Sequence, residues 1–307
     1  MNFPVITVII PAYNHAHFIA QTIKSVISQT YLNIELIILN DGSSDNTSEV
    51  VKGLESECKK RFSRFEYIDK QNEGLAETLN RGLAWSKGEF ITLMASDDVM
   101  MPERVQVLFE ALSEKDETCG IAIADAKFIN DSGEIISMTD SGGQGINDQG
   151  FNRFVEFFTR RRNDININVD LFNYDLLIKG NFIPAMSVMM RKAALIDVGS
   201  FTPGVALEDW DLWLRMARSY KGVYVDKAVS YYRMHETNSV KTIVPKLLEG
   251  QVFVLKRELE IVGGDNKEYR NLLARWIRAD SFRLVKRKKY QYFKDMFSLK
   301  LLWKSCF

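Results

Sequence analysis

Two aspartates side by side repel each other unless a cation shares their charge, and the segment Ala95-Ser-Asp-Asp98 places Asp97 next to Asp98. Such a pair suits a hard divalent ion, Mg2+ or Mn2+, bound through oxygen, and an ion held there would attract a diphosphate. Further polar clusters are Pro11-Ala-Tyr-Asn14, Asn40-Asp-Gly-Ser-Ser-Asp-Asn-Thr47, the acidic pair Glu208-Asp209 and Tyr231-Tyr-Arg-Met-His235. Each has a plainer reading. Asp41-Gly-Ser-Ser is also good turn chemistry. The pairs 97–98 and 208–209 also suit the positive end of a helix dipole. Tyr13 could be a half-buried turn aromatic and His235 a core histidine. His15 and His17 fall in the opening turn of the first expected helix and read as structural; Trp210 and Trp213 read as core side chains or as platforms for an acceptor.

The elements that must position these residues follow from the hydrophobic pattern. Short apolar runs at 5–10, 34–39, 65–68, 90–94 and 121–124 alternate with helical patterns. Asn14 is placed to cap a helix bearing Ile19, Ile23, Val26 and Ile27, and Asn46 with Glu49 resembles a capping box. Leu75, Leu79 and Leu83 form the stripe of a third helix, and Pro102 suits the first turn of a fourth carrying Val105, Leu108, Phe109 and Leu112. This is an α/β plan: a doubly wound, mostly parallel sheet with helices on both faces. Ligands of such sheets bind at the carboxyl ends of the strands, beside the point where strand order reverses, so Tyr13, Asp41 and the Asp97/Asp98 pair are expected around one crevice. Beyond residue 130 the pattern loosens. Asn130-Asp-Ser-Gly133 predicts a hairpin turn, 141–173 reads as loop with a short helix near 151–159, and regular structure resumes with a strand at 186–190, a helix at 208–220 and strands at 222–225 and 229–234.

Composition narrows the class. The 307 residues carry 40 Lys+Arg against 40 Asp+Glu, which argues against a protein that coats nucleic acid. Three dispersed cysteines offer neither a disulfide framework nor a metal knuckle, and fit a reducing cytoplasm. No run reaches the roughly 18 apolar residues of a membrane span, and no secretory leader is evident at the start. Neither GxxxxGK[ST] nor GxGxxG after the first strand is present, which excludes the common phosphate-loop and dinucleotide signatures.

Taken together, Pro11-Ala-Tyr-Asn14, Asn40–Thr47, Asn72-Glu-Gly-Leu-Ala-Glu-Thr-Leu-Asn80-Arg-Gly82, Ala95-Ser-Asp-Asp98 and Glu208-Asp-Trp-Asp-Leu-Trp-Leu-Arg215 resemble, in order and spacing, the successive motifs of family 2 glycosyltransferases with the GT-A fold, over about residues 4–240. The nearest type is the bacterial enzymes of O-antigen, capsule or other surface polysaccharide. The resemblance implies an inverting, metal-dependent hexosyltransferase using Mn2+ or Mg2+, a UDP-sugar donor, and a saccharide acceptor carried on undecaprenyl diphosphate, giving a β-glycoside. By it, Tyr13 lies on the uracil face and Asp41 accepts the ring N–H, with Pro11, Asn14, Asn72, Asn80 and Ser96 around the donor. Asp97 takes the metal with Asp98 in support, His235 approaches the metal, Arg233 binds phosphate, and Asp209, beside Glu208, is the catalytic base. The family's Asp-x-Asp-Asp motif has Ala95 in place of its first Asp, the ribose contact.

The resemblance divides the chain into a GT-A domain at 1–240, its nucleotide half at 1–130 and its acceptor half at 131–240, and a basic helical extension at 241–307. In the extension, Arg283, Lys286, Arg287, Lys288, Lys289, Lys294, Lys300 and Lys304 interleave with Phe293, Phe297, Leu301 and Leu302. That stretch could dock on anionic lipid at the inner face of the cytoplasmic membrane or pack as a solvated helix. Two rivals remain beside this reading. One is a degenerate, non-catalytic member that binds a nucleotide-sugar, which Ala95 favours; the other is a glycoside hydrolase using Asp97 and Asp209.

Overall fold

The structure, a computed structural model, describes residues 3–141, 143, 150–160, 171–238, 243–261 and 267–287. The chain divides into two compact units, Met1–Pro203 with Leu212–His235, and Gly204–Asp211 with Glu236–Phe307.

The first unit is built on one sheet. Its strands are β1 (Ile6–Ala12), β2 (Ile34–Asp41), β3 (Arg64–Lys70), β4 (Phe90–Leu93), β5 (Val99–Met100), β6 (Cys119–Ile129), β7 (Val188–Arg191) and β8 (Lys221–Arg233), in the spatial order β3-β2-β1-β4-β7-β6-β8-β5. The pairs β1/β2, β2/β3, β1/β4 and β6/β8 are parallel, whereas β7 runs antiparallel to both β4 and β6. A parallel strand buried on both faces needs a continuous apolar run. Ile6–Ile10 and Ile34–Leu39 supply it except at Thr7 and Glu35, each residue of both runs being fully buried; the Thr7 hydroxyl donates to Glu35, whose charge is also paired with Arg64. The expected pair of strands at 222–225 and 229–234 is a single strand, β8, with register shifts against Ala124 to Ala126. A bulge lets one strand bend without ending.

Helices α1 (Ile19–Ile27), α2 (Thr47–Arg61), α3 (Leu75–Trp85) and α4 (Arg104–Ser113) follow β1, β2, β3 and β5. The expected stripes are the buried ones: Ile19, Ile23 and Val26 on α1, Leu79 and Leu83 on α3, and Val105, Leu108 and Leu112 on α4. Leu75, at the head of α3, is instead exposed. The Asn130–Gly133 turn forms as expected: Gly133 takes φ +87° and its amide donates to Asn130 O at 3.0 Å.

Two expected caps do not form. Asn14 adopts φ +54°, a conformation asparagine tolerates better than most residues, and its side chain accepts the Ser44 amide at 2.7 Å. The helix therefore starts four residues later than a cap at Asn14 requires. Asn46 makes no capping bond; the neighbouring Asp45 accepts the Thr47 amide through its carboxylate at 3.0 Å.

The chain continues through α5 (Phe154–Thr159), α6 (Tyr174–Leu177), a 3-10 turn at Ala185–Ser187 and α7 (Lys192–Asp197). Helix α8 (Glu208–Ser219) begins in the second unit and ends in the first. Trp210 and Trp213 are both core side chains, 2% and 0% exposed. In the second unit α9 (Val244–Ile261) packs on α10 (Lys267–Lys286). Their buried faces carry Val252, Leu255 and Leu259, and Leu273, Ile277 and Leu284. Arg257 compensates two buried acids there, Asp211 and Glu258. No helix among the described residues is long and apolar enough to cross a membrane. Of the basic stretch, Arg283, Lys286 and Arg287 are described; its continuation from residue 288 lies outside the described residues.

Candidate functional site

Strand order reverses at β1, which has β2 on one side and β4 on the other. The loop leaving β1 is therefore flanked by the loops leaving both neighbours, and its hydrogen bonds tie the three together. Toward β2, Asn14 N donates to Ser43 Oγ at 2.9 Å, His15 N to Thr47 Oγ1 at 3.0 Å and Ala16 N to Asp45 Oδ2 at 3.0 Å. On the β4 side, His15 Nδ1 lies 2.7 Å from Ser96 Oγ. Loops with unlike neighbours on two sides are where open α/β sheets hold ligands.

At that switch point His15, Asp97 and His235 bring one ligand atom each within 4.8 Å of one another. His235 Nε2 is 3.0 Å from Asp97 Oδ2, and His15 Nε2 is 3.8 Å from the same oxygen. Burial raises the Asp97 carboxyl, but the His235 hydrogen bond and the two imidazoles outweigh it and hold Asp97 below the usual aspartate range. Burial lowers His15, favouring the neutral imidazole that can ligate. One carboxylate oxygen and two imidazole nitrogens form a donor set that fits a divalent first-row ion.

Asp98 is not one of this trio. It is 1% exposed, and its Oδ1 accepts the Arg233 amide at 2.8 Å. Burial and the neighbouring Asp97 push its carboxyl well above the usual range. The two adjacent aspartates thus meet the cost of their proximity differently: Asp97 shares its charge with two imidazoles, while the interior raises Asp98. Arg233, expected on phosphate, is 1% exposed and holds the backbone instead. Its Nε donates to Asp97 O at 2.8 Å, Nη1 to Asn130 O and Asp131 O at 2.9 Å each, and Nη2 to Gln21 Oε1 at 2.6 Å. The hydroxyl of Ser96 is engaged by His15, and Asn80 is engaged by Phe201, whose backbone it bridges in both directions at 2.8 and 3.0 Å.

Around β2, Asp41 is 5% exposed and forms an ion pair with Lys70, its register partner on β3. Asp41 also accepts the amides of Glu73 at 2.9 Å and Gly74 at 3.0 Å. Burial opposes the charge, but Lys70 and the Glu73 amide outweigh it and hold Asp41 below the usual range. Gly42 has φ +72°, and a Cβ there would lie 2.7 Å from Asn72 N, so only glycine lets these loops meet. Tyr13 is half exposed, Asn14 and Asn72 are exposed, and Pro11 is half-buried.

In the second unit Glu208 and Asp209 open α8. Asp209 Oδ1 accepts the Trp210 amide at 2.6 Å. Burial, with the charges of Asp209 and Asp211 beside it, raises Glu208 to about 8.

Asp97 and His235 come together as their motifs imply, whereas the places of His15 and Lys70 and the backbone contacts of Arg233 differ from or add to the sequence expectation. The signal for His15 was Asn14, whose tolerance of positive φ favours a loop there over a helix.

A family model described as glycosyl transferase family 2 matches residues 7–194. An uncharacterized glycosyltransferase of Rickettsia typhi is 24% identical over 91% of this chain and 81% of its own length. Some other curated relatives are longer, and the chain spans 36% of one from Rickettsia felis. Among solved structures, S. aureus TarS 1-349 in complex with UDP-GlcNAc aligns with a TM-score of 0.62 at 17% identity, over 93% of this chain and 74% of that one. The mannosyltransferase PcManGT from Pyrobaculum calidifontis, in complex with GDP-Man and Mn2+, aligns at 0.59 and 15% identity, over 97% and 77%. The fold is the GT-A fold of these transferases.

Proposed function

Because the chain belongs to glycosyl transferase family 2, we propose that it moves a sugar from a UDP-sugar donor to a hydroxyl of a saccharide acceptor, inverting the anomeric centre to give a β-glycoside. The observation that carries this reading is the Asp97–His235 pair at the switch point of the sheet, joined through His15 to the loop where the nucleoside would lie. Support for the donor class comes from the two solved relatives, one in complex with UDP-GlcNAc and the other with GDP-Man and Mn2+.

Asp97 Oδ2 and His235 Nε2 would hold Mn2+ or Mg2+, which when bound offsets the charge of the departing diphosphate. Tyr13 offers an exposed ring to the base, and Asp41, fixed by Lys70 and two amides, is a preorganised acceptor for an imide N–H. Asp209 is assigned as the base that takes the acceptor hydroxyl's proton as the glycosidic bond forms. With Glu208 raised to about 8 by burial and its acidic neighbours, it is neutral at pH 7, which leaves Asp209 the better suited of the two. The acceptor is a saccharide on undecaprenyl diphosphate and the product a surface polysaccharide, with the basic end of the chain resting on the inner face of the cytoplasmic membrane.

Ala95 favours the non-catalytic alternative, since it removes a charge-assisted hydrogen bond to ribose. That loss is worth about 1.5–3 kcal/mol, enough to weaken donor binding but too small by itself to abolish catalysis. Calorimetry with UDP-glucose, UDP-galactose and their N-acetyl forms in the presence of Mn2+ tests the proposal. Saturable binding of one donor and not of its GDP counterpart is expected; failure of every UDP-sugar to bind would refute it.

A further inference from the structure

The motif resemblance gives the metal to Asp97, Asp98 and His235 and gives His15 no role. The geometry distributes these residues differently. Asp98 is turned into the interior and satisfies the Arg233 amide, while two of the chain's three histidines converge on one oxygen of Asp97. We infer that His15, Asp97 and His235 form a three-ligand site that retains a first-row transition ion before any nucleotide arrives, with His15 setting its preference over Mg2+. The inference rests on the proposed metal role of Asp97 and His235 and adds a ligand to it.

Three features aim His15 at such an ion. Its backbone is fixed, since it follows the positive-φ Asn14 and its amide donates to Thr47 Oγ1. The Ser96 hydroxyl engages Nδ1 at 2.7 Å, which leaves Nε2 as the free nitrogen. Ligating histidines commonly have their second nitrogen held by a partner; the contact fixes ring direction, and with Nδ1–H donating to the hydroxyl oxygen, Nε2 carries the lone pair an ion needs. Finally, Nε2 lies 3.8 Å from Asp97 Oδ2, too far for a hydrogen bond. Ligand atoms about 2.1 Å from a shared ion stand roughly 3.0–3.5 Å apart, so an ion draws this nitrogen toward Asp97 by about half an ångström, and the two imidazole nitrogens, within 4.8 Å of each other, close on it together.

Two protein ligands alone would leave the diphosphate to complete the site. A third changes the chemistry in two ways. It keeps the ion on the protein without nucleotide, and its imidazole disfavours Mg2+, which prefers oxygen and keeps its waters. Affinity is then expected to rise from Mn2+ to Co2+, as the usual divalent order requires. Ser96 acts as a positioning residue.

The test is a Co2+ titration of the full chain without nucleotide, read by calorimetry and by the visible absorption of bound Co2+, with Mg2+ titrated in parallel. Wild type is expected to bind one Co2+ at least ten-fold more tightly than Mg2+. His15→Ala is expected to weaken Co2+ by about 10–100-fold, to alter the absorption band and to change Mg2+ binding less than about two-fold; Ser96→Ala should lose affinity in the same direction. His15→Gln, which keeps a polar side chain of similar reach, carries the comparison if His15→Ala does not fold. Co2+ affinity unchanged in a folded His15 variant, while Asp97→Asn abolishes binding, would overturn the role of His15 alone. Co2+ binding that survives Asp97→Asn would instead overturn the metal-site reading beneath it.

Discussion

His15 Nδ1 stands 2.7 Å from Ser96 Oγ, and this single contact decides which imidazole nitrogen faces Asp97. It also joins the loop after β1 to the loop after β4. On its other side the β1 loop is bound to the loop after β2 through Ser43, Thr47 and Asp45. A nucleoside placed against Tyr13 and a diphosphate placed against Asp97 would thus rest on one continuous hydrogen-bonded frame, which is the rigidity a preorganised site requires.

The two neighbouring aspartates should respond differently to loss of charge. Asn at position 98 can still accept the Arg233 amide, so Asp98→Asn should change stability by less than about 1 kcal/mol and leave Mn2+ affinity within about three-fold. Asp97→Asn should reduce Mn2+ affinity by more than ten-fold. Chemical denaturation and metal calorimetry on the two variants check both statements.

Arg233 serves the site through the backbone. Its guanidinium holds the carbonyls of Asp97, Asn130 and Asp131 and the side chain of Gln21. Arg233→Ala is expected to cost on the order of 3 kcal/mol, since several charge-assisted bonds are lost together. Lysine cannot reproduce the planar fork, so Arg233→Lys should recover less than half of that. Urea unfolding midpoints give the comparison, and equal stability of all three proteins would contradict the clamp.

Glu208 predicts a pH dependence with a definite sign. Its folded value of about 8 lies above the ordinary 4.5, so between the two the native protein keeps a proton that the unfolded chain has released. Its contribution to stability therefore falls as pH rises from about 4.5 to about 8. Glu208→Gln removes that loss and should gain on wild type by on the order of 1–2 kcal/mol between pH 5 and pH 8. Thermal melts at the two pH values measure it.

Gly42 tests the base-side loop. With φ +72° and a Cβ only 2.7 Å from Asn72 N, Gly42→Ala should cost about 1–3 kcal/mol. It should also weaken UDP binding by displacing the 72–74 segment, whose amides hold Asp41. Calorimetry with UDP should show the loss, whereas Gly53→Ala, on α2 with open space around it, should leave binding unchanged.

Much of the parallel half was legible because its determinants are local. Runs such as Ile34–Leu39, apolar but for Glu35, favour a buried strand, and the stripes on α1, α3 and α4 specify one face each. That Asp97 and His235 lie near each other could be read from the motifs that carry them, which both follow strands of the one sheet. The rest depended on contacts distant in sequence. The role of Arg233 comes from carbonyls about a hundred or more residues away, and the partner of Asp41 is fixed by the register of β2 on β3. His15 was misplaced by one local choice, taking Asn14 as a cap when its side chain is used instead to bridge two loops.

Transfer of sugar from a nucleotide donor by means of a divalent ion at Asp97 is the proposed activity. Its most direct test is the rate of UDP release from the UDP-sugar that binds most tightly, with a saccharide acceptor present, measured for wild type and Asp97→Asn with Mn2+ and again with chelator. Steady turnover by wild type in Mn2+, loss of that turnover with chelator, and a rate reduced at least a hundred-fold in Asp97→Asn are expected. Equal rates for the two proteins, or turnover indifferent to chelator, would contradict it.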